Sequence, residues 1–251
     1  VHLAAICPLH LAVANSELQR FLISMRDLGV CLCAIGPIWL RAHELGVLSE
    51  CVTFASLKTP TWWACVAGLG CLYYLHAYIW NAPSSFTALC RVQPLRALGA
   101  HPVAIFARLE LLGKLWQFGF VTHFLGRAGL SSALSAIARI PLWCGAVAFM
   151  YIAAGQALNF AMYKAIGNAG VYYGFKLGRN VPWATGFPFN LGLRHPQYVG
   201  VVLTIWGVVL LILCEEVATL GLCQVCAAWT SMYFVMSVME QVGDNTAAKD
   251  G

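Results

Sequence analysis

The stretch TWWACVAGLGCLYYLHAYIW, residues 61 to 80, runs its whole length without an Asp, Glu, Lys or Arg. A helix that long and that apolar matches the ~30 Å hydrocarbon layer of a bilayer. Comparable apolar stretches cover about 102 to 125, 140 to 165, 198 to 214 and 217 to 240. In lipid the backbone has no water to bond, so a spanning chain is restricted to helices or a closed β-barrel. A barrel needs alternating segments of about 10 residues, and the sequence contains no such pattern. Composition agrees: of 251 residues, 60% are hydrophobic and 10% charged, against about 25% charged in soluble domains. The expected fold is all-α, a multi-pass membrane helical bundle of about five to six helices.

Punctuation places the helices. A first one, at about 20 to 40, is interrupted by Arg26 and Asp27 and is expected to be a weak membrane helix or an interfacial one. Asn81-Ala82-Pro83 ends the second, and Pro141 suits the first turn of the fourth. Little more than Glu215 and Glu216 separates the last two, which must form a tight C-terminal helical hairpin. The chain therefore divides into an N-terminal extension, 1–59, a membrane domain, 60–242, and a short tail, 243–251. Residues 1–14 are apolar but lack the basic start of a signal peptide.

Along this path Arg91, Arg96, Lys164, Lys176, Arg179 and Arg194 fall on one side, without an acid. Arg41, Glu44, Glu50, Lys58, Arg127, Arg139, Glu215 and Glu216 fall on the other, where the charges cancel. By the positive-inside rule the basic side faces cytosol, matrix or stroma. The expected location is the endoplasmic reticulum or a mitochondrial or plastid inner membrane. The net charge of +5 is spread over loops, so no nucleic-acid partner is expected. Most of the eleven cysteines lie in apolar stretches and read as small buried hydrophobes. Cys223 and Cys226 form a CxxC, but no second pair at zinc spacing accompanies it, and no metal is expected.

The polar run Arg194-His195-Pro196-Gln197-Tyr198 stands at the mouth of an apolar helix. Tyr198 begins that helix and Glu240 ends the antiparallel one that follows, so the hairpin should bring them together on the basic side. Glu110 and Lys114, four apart in the third helix, read as an ion pair facing the bundle. Glu215 and Glu216 read as a solvated turn.

Arg194-His195-Pro196-Gln197-Tyr198-Val199-Gly200 resembles the RHPxYxG motif of membrane methyltransferases that use S-adenosylmethionine, the phospholipid N-methyltransferases and their isoprenylcysteine carboxyl methyltransferase relatives. Upstream, AIGNAGVYYGFKLGRNVPWATGFPFN, residues 165 to 190, is similar to the phospholipid branch, as are Asn81-Ala82-Pro83 and RALGAHP, residues 96 to 102. The resemblance covers about residues 60 to 242. The family's GxG cofactor signature lands on Ala153-Ala154-Gly155, where only Gly155 matches. Its glutamate pair lands on Glu240-Gln241, where only Glu240 matches.

The resemblance implies S-adenosylmethionine as cofactor, held by Gly155, Arg194, His195, Pro196, Tyr198, Gly200 and Glu240. It implies His195 and Tyr198 as the catalytic pair, and Lys176, Arg179 and Arg194 as holders of a lipid phosphate. The implied reaction is methylation of the amine of a phosphatidylethanolamine-type membrane phospholipid. Two alternatives stay open: a catalytically weakened subunit of a larger membrane complex, contacting other membrane subunits through residues 1–59, and carboxyl methylation of a prenylated cysteine.

Overall fold

The structure, a computed structural model, describes residues 25–53, 59–182 and 184–247. Lys58 and the apolar start at 1–14 lie outside the described residues. Residues 25–33 form α1. Then follow α2 (Gly36–Glu44), α3 (Leu48–Val52), α4 (Pro60–Asn81), α5 (Pro83–Leu89), α6 (Pro102–Ala128), α7 (Leu130–Ala138), α8 (Leu142–Val171), α9 (Pro196–Ile212), α10 (Glu215–Leu220) and α11 (Leu222–Ala247). Two short 3₁₀ turns, Leu95–Leu98 and Phe189–Leu191, interrupt the loops, and no strand occurs among the described residues.

The five long apolar stretches become α4, α6, α8, α9 and α11. Proline sets several starts: Pro60, Pro102 and Pro196 each occupy a first-turn position, where a missing N–H costs nothing. Thr59 accepts the Trp62 N–H at 3.3 Å and His101 Nδ1 accepts the Val103 N–H at 3.2 Å, capping α4 and α6.

The helix count exceeds the expected five to six, because turns read as loops wind into short helices. The first expected helix breaks near Gly36-Pro37, and α2 restarts with the proline in its first turn. The hairpin turn holds a separate helix, α10, closed by Gly221 at φ 96°. That left-handed conformation ends a helix at little cost only when the residue is glycine.

Spatially the long helices follow the order α6, α4, α11, α9, α8. The closest seam joins α8 to α9. A Cβ added to Gly200 would stand 2.7 Å from the Gly155 carbonyl oxygen and 3.1 Å from Leu158 Cβ, and one on Gly155 would run into Gly200 O. Small residues of this kind let two backbones approach. Residues 25–53 belong to the same core: Ala34, Ile38, Ala42 and Val47 are buried beside Val202, Trp206, Leu213 and Val217.

α8 and the Leu222–Glu240 part of α11 are long and apolar enough to cross a membrane, and α9 is a shorter apolar helix. α4, rich in Trp, Tyr and His, and α6, with Arg108, Glu110 and Lys114, have the length but less apolarity. The outward faces are apolar: Leu142 is 90% exposed, and Phe149 and Phe160 are each 72% exposed. A helix in the core of a soluble protein turns such residues inward.

Candidate functional site

The hairpin returns the chain to its starting end, so Glu240, far along α11, meets Tyr198 in the first turn of α9. The Tyr198 hydroxyl donates to Glu240 Oε1. The Tyr173 hydroxyl donates to the same oxygen at 2.6 Å. His195 Nδ1 lies 3.4 Å from Glu240 Oε2, and its ring stacks on Tyr198 with centroids 5.2 Å apart. Tyr173, in the loop after α8, is held in the left-handed region at φ 53°. That conformation costs a non-glycine residue about 1–2 kcal/mol. The surroundings that hold it are the rings of Trp80 and Phe106, at 5.1 and 5.6 Å, and the two hydrogen bonds of its phenol.

The turn before α9 is held from the N-terminal segment. Asp27 Oδ1 accepts the Arg194 N–H at 3.1 Å, and Oδ2 accepts the His195 N–H at 2.9 Å. Burial raises the Asp27 pKa, and these two N–H groups and the Arg194 charge oppose the rise. Burial, followed by the positive Arg194, lowers the His195 imidazole to about 4. It is therefore neutral near pH 7, and its contact with Glu240 is polar but not an ion pair. Its Nε2 is buried with no hydrogen-bond partner among the described residues.

From Tyr173 a polar chain crosses the bundle. Its phenol lies 3.2 Å from His76 Nδ1, and His76 Nε2 lies 2.8 Å from Glu110 Oε2. Glu110 Oε1 pairs with Lys114 Nζ at 3.4 Å. Lys114 donates to Tyr233 at 3.2 Å and to Gln117 at 3.3 Å, and Gln117 in turn donates to the Leu69 carbonyl at 2.8 Å. This chain edges a cavity of about 310 Å³ whose walls come from all five long helices. His76, Glu110, Lys114, Asn159, Tyr198 and Tyr233 are on the wall; His195 and Glu240 are not, and lie behind Tyr198.

The structure thus brings together His195, Pro196, Tyr198 and Glu240. Arg194 shares the turn, with its charge near Asp27. Gly155 and Gly200 are elsewhere, pressed together in the α8–α9 seam, where the facing helix fills the space a ligand would need. Ala153 is exposed on α8. Lys176 stands 4.0 Å over the Trp80 ring, and Arg179 is exposed, its charge felt by His101. Among the described residues no group of three metal-ligating side chains occurs.

Sequence reasoning passed over Tyr173, His76, Tyr233 and Asp27. The expected Glu110–Lys114 pair is present, but it also carries His76 and Tyr233 and faces the cavity. Its signal was legible, since ionisable residues inside an apolar helix mark a working site by default. His76, the one ionisable interruption of the 61–80 stretch apart from its tyrosines and cysteines, gave a weaker signal of the same kind.

Residues 143–243, from α8 to α11, match the profile of the phospholipid methyltransferase family. A phosphatidyl-N-methylethanolamine N-methyltransferase of Arabidopsis thaliana is 33% identical over 143 residues, 56% of this chain and 74% of that protein. No solved structure matches the chain significantly. With one third identity across most of that relative, and with the matched profile carrying the His195–Tyr198 turn and Glu240, this chain belongs to the phospholipid methyltransferase family.

Proposed function

We propose that this protein methylates the amine headgroup of a phosphatidylethanolamine-type phospholipid, using S-adenosylmethionine. The observation that carries the reading is a connected polar chain, from Glu240 to Lys114, edging a cavity inside an otherwise apolar bundle. The Arabidopsis relative is named for phosphatidyl-N-methylethanolamine, which makes that lipid the first to test.

The donor set fits the cofactor. His195 Nε2 and Asn159 Oδ1 are buried polar atoms without a partner among the described residues, and Glu240 supplies negative charge behind Tyr198. Tyr198 and Asn159, on the cavity wall, would hold the cofactor's polar groups, with His195 and Glu240 positioning Tyr198 from behind and supplying the local charge. When bound, S-adenosylmethionine supplies an electrophilic methyl group on sulfur. The chain's own task is to align the acceptor and exclude water. Glu110 faces the cavity as the acceptor for the proton a headgroup ammonium must lose before its nitrogen has a free electron pair, and His76 holds that carboxylate in place. Tyr73, Tyr163, Tyr172 and Tyr233 close the wall around them. Lys176, Arg179 and Arg194 supply positive charge for the lipid phosphate; arginine offers bidentate contacts.

The bundle is read as multi-pass. Its exposed apolar side chains on α6, α8 and α11 supply the face that lipid requires, so a two-tailed substrate need not leave the bilayer. The basic loops face the cytosol, matrix or stroma.

The test uses purified protein in vesicles containing phosphatidyl-N-methylethanolamine, with methyl-labelled S-adenosylmethionine. Label is expected in the lipid. Glu240→Ala and Tyr198→Phe are expected to lower kcat/KM at least tenfold, about 1.4 kcal/mol of lost transition-state stabilisation. Label appearing only on a prenylcysteine carboxyl would move the substrate class. No label with folded protein would leave a structural subunit.

A further inference from the structure

We propose that Cys51 and Cys223 form a disulfide that staples the N-terminal segment to the C-terminal hairpin, on the face opposite the candidate site. Cys51 lies near the end of α3, and Cys223 is the second residue of α11. They are 172 positions apart in sequence, yet their sulfurs stand 3.0 Å apart, closer than two unbonded sulfur atoms ordinarily rest. The approach is held in register by a neighbour. Gln224 Nε2 donates to the Glu50 and Thr53 carbonyls, each at 2.6 Å, on either side of Cys51. Cys223 is buried and Cys51 half-buried, so Cys51 is the thiol that an oxidant reaches first.

The oxidising surroundings of this end follow from the membrane orientation proposed above. At this end Glu44, Glu50, Glu215 and Glu216 offset Arg41, Arg127 and Arg139, and the loops with a basic excess lie at the other end. By the positive-inside rule it faces away from the reducing compartment, toward the side on which structural disulfides form and persist. The oxidant is a disulfide-bearing thiol oxidase or another disulfide donor. The Cys51 thiolate attacks one donor sulfur, forms a mixed disulfide and expels the donor's other sulfur as thiolate. The Cys223 thiolate then attacks Cys51, forms the Cys51–Cys223 bond and expels the second donor sulfur. The donor takes two electrons and becomes a dithiol, and the two cysteines lose their protons. With Asp27 already bonded to the turn before α9, the bond ties the N-terminal segment down at a second point.

The experiment uses the full chain in membranes of its own organism, with free thiols alkylated before solubilisation, followed by peptide mass mapping without reductant. The expected result is a Cys51–Cys223 cross-linked peptide pair, two hydrogens lighter than the sum and separated by reductant. Alkylated Cys51 and Cys223 in most molecules would overturn the proposal. Orientation is read separately: Glu215→Cys in sealed vesicles, probed with an impermeant maleimide, reports which face the hairpin turn occupies. Labelling on the basic-loop side would sink the orientation and leave the mapping to decide the bond. Reductant is expected to lower the unfolding midpoint of the wild-type chain by roughly 5–10 °C and to leave the Cys51→Ser, Cys223→Ser double variant unmoved. A wild-type midpoint indifferent to reductant would remove the staple.

Discussion

His195 stands where backbone, ring and charge constraints meet: its N–H is held by Asp27, its ring lies on Tyr198, and Arg194 precedes it. Burial and that arginine keep the imidazole neutral in the fold, down to about 4 from an ordinary 6.5. Between those values the unfolded chain binds a proton that the folded chain refuses. The stability this histidine permits is complete above pH 6.5 and is lost as pH falls toward 4. Asp27 has the opposite sign: its raised pKa means that its own protonation favours the fold as pH drops. The loss of stability as pH falls below 6.5 is therefore the histidine's, and Asp27 works against it. Unfolding midpoints in detergent, taken from pH 7 to 5, should fall for the wild-type chain and stay flatter for His195→Gln. Equal slopes would mean that another group carries the acid limb.

Elements meet most tightly along α8 and α9. At Gly155 an added methyl group meets the Gly200 carbonyl, which is backbone and cannot rotate away. Gly155→Ala should therefore destabilise the bundle by about 1–3 kcal/mol, the usual cost of overpacking. At Gly119, on α6, nothing lies within 4 Å of the position an added methyl group would take. Gly119→Ala should be neutral or stabilise by up to about 1 kcal/mol, because alanine loses less freedom in a helix. Thermal unfolding of the two variants measures the difference. Equal midpoints would show that the seam opens without cost, and would free Gly155 for the ligand role that the family resemblance implies.

The whole molecule is closed by a segment that lies outside the family-profile match. Residues 25–53 lie outside the profile match at 143–243, yet they bury Ile38 and Ala42 in the common core and place Asp27 under the His195 turn. Asp27→Ala would leave two partly buried N–H groups without their acceptor, a loss of about 1–3 kcal/mol. It should also lower kcat, by letting the turn that positions Tyr198 relax. Asp27→Asn, which keeps one carbonyl oxygen, should fall between the two. The check is unfolding and methyl transfer measured side by side; an Asp27→Ala protein equal to wild type in both would separate this segment from the site.

Much of the plan was legible in the chain. Apolar stretches and prolines located α4, α6, α8, α9 and α11, because helical hydrogen bonds are local and the breakers act within a turn. The hairpin at Glu215 and Glu216 was enough to pair Tyr198 with Glu240, since two antiparallel helices of known length must end side by side. Tertiary structure alone decided that Tyr173 shares Glu240, that His76 links it to Glu110, and that Gly155 faces Gly200 instead of open space. Those contacts depend on the order α6, α4, α11, α9, α8 and on how each helix is rotated about its axis. Rotation is set by side chains interlocking across distant segments, as Asn81 and Met239 do 158 positions apart, and a helix that is apolar all round carries no stripe in its own sequence to announce which face turns inward.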